Sequence, residues 1–160
     1  MDSSLSAALV DLVQQSFEGK NRWHAPLVAL VQDLTPEQAL WRPAPERKCV
    51  WEIVRHIIFW REYLLCHVMG RPVPDAEANN WTLPAETSEQ AWRAELERLR
   101  QVQQELLDWF TTRKPEDLLA TDKQGKHARF LLEAGITCHD SYHAGQIATL
   151  RALMGLPPVE

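Results

Sequence analysis

The chain has 160 residues, 45% of them hydrophobic and 24% charged, with 17 Lys and Arg against 22 Asp and Glu for a formal net charge of −5. That length suits one core and one domain over 1–160, and no stretch nears the roughly 18 consecutive apolar residues of a membrane span. No basic block supplies the electrostatic footprint of a nucleic-acid binder, so a membrane and nucleic acid are both excluded as expected partners.

The opening residues, MDSSLSAALVDLVQQSFEG, have spaced leucines and two aspartates where a secretory leader would carry a basic start and an unbroken apolar run. A cytoplasmic protein is expected, and Cys49, Cys66 and Cys138, widely spaced and odd in number, are expected as reduced thiols. Residues 4 to 17 place Leu5, Leu9, Leu12, Val13 and Phe17 on one helical stripe, and Leu27, Leu30, Val31 and Leu34 continue it beyond a kink or split at Gly19 and Pro26. In the connector that follows, Thr35 is placed to cap a short turn starting at Pro36, while Pro43 and Pro45 forbid further helix. A second helix runs from about 49 to 69 and stops at Gly70; the segment RPVPDAEANNWTLPAETS after it reads as an ordered loop. Thr87 or Ser88 starts a third helix to about 112, with Trp92, Leu96, Leu99, Val102, Leu106 and Trp109 or Phe110 on its buried side. The fourth runs from about 128 to 154 and ends at Gly155, ahead of Pro157 and Pro158. The expectation is an all-α fold, a four-helix bundle with long connecting loops, its topology open between up-down-up-down and a crossover arrangement.

Three histidines interrupt the apolar stripes. On a helix, His139 and His143 share a face with Leu132, Gly135, Ile136, Gln146 and Leu150, and His56 stands among Ile53, Trp60 and Tyr63 on the second helix. Burying an unpaired imidazole costs about 1–3 kcal/mol, and one divalent cation would satisfy all three rings. A histidine pair four residues apart with a third from a facing helix makes a three-nitrogen site that leaves positions open to water or substrate. Each taken alone is also what a hydrogen-bonded core histidine looks like. His67 is excluded from the set, since eleven residues of helix put it about 16 Å from His56. His127, beside Lys126, reads as a surface loop residue, and His24 between Trp23 and Pro26 is ambiguous. Cys138 points about 100° away from His139 on the helical wheel and reads as an inert core thiol.

The runs WHAPLVALV at 23–31, RPAPERKCVWEIVRHIIFW at 42–60 and HDSYHAGQI at 139–147 together resemble the DinB-like superfamily in order and spacing over essentially the whole chain. The resemblance implies a four-helix bundle, a divalent metal held by His56, His139 and His143, and a homodimer. Lys48 and Cys49 stand where relatives often carry His-Ser, and Ala25 where they carry glycine; neither change touches the ligands. Some members of the superfamily are thiol S-transferases and others metal-dependent hydrolases or isomerases. The reading is therefore a metalloenzyme whose zinc or nickel ion activates a low-molecular-weight thiol or water. Trp23, His24, Trp60, Tyr63 and Trp81 are candidate pocket residues, and Tyr142 or Gln146 would orient the bound species; for each aromatic, plain core packing is the competing account. No catalytic residue is assigned. The alternative function is a non-catalytic, metal-stabilised bundle serving as a binding or sensor module in a stress response.

Overall fold

A computed structural model of the chain describes residues 4–20, 23–114, 116, 117, 120 and 129–159. Among them the secondary structure is helical, in the order α1 (Ser4–Phe17), α2 (Leu27–Val31), α3 (Pro36–Leu40), α4 (Val50–Val68), α5 (Ala76–Asn79), α6 (Glu89–Thr111) and α7 (Arg129–Leu153). No helix of the described residues is long and apolar enough to cross a membrane. His127 lies outside the described residues, as do the side chains of Leu5 and Leu132.

Local chemistry accounts for the boundaries. Thr35 and Gln38 close a reciprocal capping box around α3, with Pro36 in its first turn. Glu52 Oε2 accepts from the Cys49 N–H at 3.1 Å to start α4, and the Ser88 hydroxyl accepts from the Ala91 N–H at 3.2 Å to start α6. Gly70 and Gly155 adopt φ of 67° and 73° just past α4 and α7, the left-handed turn that ends a helix without a Cβ clash. The split foreseen at Gly19 and Pro26 separates α1 from α2. The segment read as a loop throughout does contain one helical turn, α5, because Asp75 accepts from the Glu77 N–H at 2.9 Å and so caps it.

Four long helices pack side by side. α1 and α4 each pack chiefly on α6 and α7, so α1 and α4 face each other across a diagonal, as do α6 and α7. α1 and α4, joined through α2 and α3, therefore stand at diagonal rather than adjacent positions, a crossover arrangement for that connection. The core holds Leu9, Val13 and Phe17 of α1, Val54 and Ile57 of α4, Leu99, Val102 and Leu106 of α6, and Ile147 of α7. Leu12, expected on the α1 stripe, is 50% exposed. Leu9, Val13, Ser16 and Phe17 define the buried face, and Leu12 falls to one side of it. Arg151, buried on α7, chelates the Asp33 carboxylate at 2.6 and 2.8 Å and donates to the Leu30 carbonyl at 3.0 Å, fastening α7 to the end of α2.

Candidate metal centre

α4 and α7 pack against each other, and their inward stripes bring His56, His139 and His143 to one point. His139 Nε2 lies 3.0 Å from His56 Nε2 and 3.1 Å from His143 Nε2. His56 and His143 are buried and His139 is half-buried. The outer nitrogens of two rings are already committed: His56 Nδ1–H donates to Asn80 Oδ1 at 2.5 Å, and His143 Nδ1–H donates to Gln146 Oε1 at 2.7 Å. An amide oxygen only accepts, so each of these rings carries its proton on Nδ1 and turns an Nε2 lone pair inward.

Burial pushes the basicity of all three rings down. His56 is held at about 4 and His139 at about 3, burial acting first and a neighbouring imidazole adding to it in each; His143 is lowered by burial as well. At neutral pH the rings are uncharged, which is the state that binds a metal. A proton on His139 Nε2 can make a straight bond to one inward lone pair but not to both, whereas a cation at the centre satisfies all three. Imidazole nitrogens sharing an ion at about 2.1 Å stand about 3.0 Å apart at right angles and about 3.4 Å apart at the tetrahedral angle. The two contacts that His139 Nε2 makes, at 3.0 and 3.1 Å, fall in this range, so the residues present fit a divalent ion.

Aromatic rings wall the centre. Trp81 stacks on His56 with centroids 3.7 Å apart and planes 17° apart, Trp60 meets His56 edge-on at 6.2 Å, and Tyr142 meets His143 edge-on at 5.0 Å. Tyr63 contacts Trp60 at 5.2 Å. Gln146 holds His143 with its oxygen and donates from Nε2 to the Tyr142 hydroxyl at 3.0 Å. His24 donates from Nδ1 to the Ala25 carbonyl at 2.9 Å and places Nε2 2.9 Å from Ser141 Oγ on the outer side of α7, and Trp23 is 91% exposed. Cys138 is exposed, not a core thiol: one step back from His139 on the wheel turns it to solvent. His67 is exposed in the last turn of α4.

Two features escaped the sequence reading. One is Asn80, which reaches His56 from an irregular loop with no periodicity to mark it. The other lies beside the centre, where Arg61 and Asp140 form a fully buried ion pair at 2.7 Å. Arg61 Nε also donates to Gln103 Oε1 at 3.1 Å, and Ser16 Oγ lies 3.2 Å from Asp140 Oδ2. Both charges stand in phase with the apolar stripes of α4 and α7, which was the available signal.

The profile of the DinB superfamily matches residues 22–147, a span that includes all three histidines. No curated protein and no solved structure matches the chain. The chain belongs to the DinB superfamily.

Proposed function

We propose that His56, His139 and His143 hold one divalent transition ion, zinc or nickel, and that the protein is a metalloenzyme acting on a low-molecular-weight thiol or on water. The observation that carries this reading is the convergence of three uncharged Nε2 atoms, two of them with their lone pairs fixed inward by Asn80 and Gln146. When bound, such an ion acts as a Lewis acid that lowers the pKa of a coordinated small molecule to near neutrality. The protein residues then shape what reaches it. Trp60 and Trp81 exclude water from the His56 side, and the Tyr142 hydroxyl, held by Gln146, offers a donor at the rim to orient a polar group. The same reading pairs two copies of the chain through apolar residues off the main stripe of α1, of which Ala7 and Ala8 are exposed and Val10 is half-buried; a monomer by light scattering at micromolar concentration contradicts that pairing.

The test is turnover. The zinc- or nickel-loaded protein is mixed with glutathione and an electrophile, and free thiol is followed against the chelated protein. Faster loss with metal supports the enzyme. Full metal binding without faster consumption of any small thiol, and without hydrolysis of activated esters, supports a non-catalytic binding module.

A further inference from the structure

Residues 71–88, which include α5, cross from α4 to α6 without burying one side chain. Apart from Ser88, which caps α6, three consecutive positions of this segment make side-chain hydrogen bonds or ring contacts to other parts of the protein. Asn80 accepts from His56 Nδ1–H at 2.5 Å, Trp81 lies flat on the His56 ring at 3.7 Å, and Thr82 Oγ1 accepts from Arg55 Nε at 3.0 Å. Two of the three grip the same histidine. Trp81 does so from a φ of 60°, the left-handed region that a bulky residue enters only when surrounding contacts compensate. The outer nitrogens of the other two rings are placed differently: His143 Nδ1 is held by Gln146 of its own helix at 2.7 Å, the loop reaching that ring only through the edge of Trp81 at 5.9 Å, and His139 has a buried Nδ1 with no hydrogen-bond partner among the described residues.

We infer that Asn80 and Trp81 are positioning residues of the metal centre, so that an exposed loop fixes the tautomer and plane of His56 and thereby sets how tightly the ion is held. The inference rests on the metal-centre reading. Its physical basis is that an acceptor on the outer nitrogen keeps the proton on Nδ1 and the Nε2 lone pair free, while the stacked indole denies the ring its other rotations. Coupling of this kind is reciprocal. If the loop tightens the ion, the ion must steady the loop.

Zinc affinity, measured by competition with a chromophoric chelator, and the visible spectrum of the cobalt-loaded protein test the proposal without reference to activity. Asn80→Leu, which keeps the volume and removes the acceptor, is expected to weaken zinc binding about 10–100-fold and to shift the cobalt bands. Asn80→Asp restores an acceptor and is expected to bind at least as tightly as wild type. Trp81→Ala is expected to weaken binding and Trp81→Phe to retain most of it. Asn79→Ala serves as the control, because its side chain donates to the Asp75 carbonyl within the loop. Zinc is expected to slow amide exchange across 71–88 in wild type and to do so less in Asn80→Leu. Wild-type affinity in both Asn80→Leu and Trp81→Ala overturns the inference and leaves the metal centre standing. Equal weakening in Asn80→Leu, Asn80→Asp and Asn79→Ala also overturns it, since that pattern marks general damage to the loop. Absence of zinc binding by wild type overturns the metal centre, and the inference with it.

Discussion

His139 and Asp140 are neighbours on α7, and each enters a buried polar cluster with a partner from α4. Asp140 meets Arg61 in an ion pair fully shielded from solvent, and Ser16 of α1 and Gln103 of α6 complete a network that takes one side chain from each long helix. His139 meets His56 and His143, uncharged rings that bring nitrogen lone pairs face to face. In the first cluster opposite charges cancel within the protein, although Arg61 Nη1 and Asp140 Oδ1 lack partners; burial pushes the Asp140 carboxyl above the usual carboxylate range against the pull of Arg61. The second holds no acid of its own: three bases face one another, and the acid that acts on them, Asp140, belongs to the neighbouring cluster and reaches His143. A buried cluster that supplies its own counter-charge ties helices together, while one that lacks it marks where something from outside belongs.

The comparison breaks if the two clusters respond alike to metal. Removing one partner of the ion pair carries the largest expected effect. Arg61→Met strands a buried carboxylate and should destabilise the protein by about 3–5 kcal/mol. Denaturant melts should show the same loss with chelator and with zinc, and the double change Arg61→Met with Asp140→Leu should recover most of it. A loss that depends on zinc would make the network part of the metal centre.

His139→Leu should behave in the opposite way. In chelator it should be neutral or stabilising, because it removes a base from a crowded buried site. Wild type should gain about 4 kcal/mol when free zinc stands at a thousand times its dissociation constant, and the variant should gain none. If the histidines are instead ordinary hydrogen-bonded core residues, the substitution costs about 1–3 kcal/mol with or without zinc.

Acid sharpens the contrast. The folded-state values of about 4 for His56 and about 3 for His139 lie below the histidine value of 6.5, so in acid the unfolded chain takes up protons before the folded one does. The stability this contributes is complete above about pH 6.5 and is lost as pH falls toward the folded values. Denaturant midpoints of the chelated protein should therefore drop between pH 6.5 and 4.5, and His139→Leu should show a shallower slope. An identical slope in both proteins would remove His139 from the titrating set.

How much of this was legible in the sequence follows from how each feature is encoded. Helix ends were, because Ser88, Gly70 and Gly155 act on their own neighbours. The three histidines were, because a spacing of four on one helix and an inward phase on another are periodic facts. Asn80 was not: it stands 24 residues from His56 in a proline-rich segment, and only the path of that loop brings them together. Arg61 and Asp140 were passed over because charges are usually read as outward, yet opposite charges set in the buried phase of two helices were the clue to a pair. Leu12 and Cys138 were misread for a simpler reason. Each lies about one residue's rotation outside the buried arc, where helical spacing alone discriminates poorly.

The central claim is that His56, His139 and His143 share one ion, and metal content after equilibrium dialysis against zinc or nickel near pH 7.5 tests it most directly. One ion per chain is expected in wild type and in His67→Ala, whose imidazole is exposed in the last turn of α4, with occupancy lost in His56→Ala, His139→Ala and His143→Ala. Substoichiometric metal in wild type, or equal metal in wild type and the three alanine variants, would contradict it.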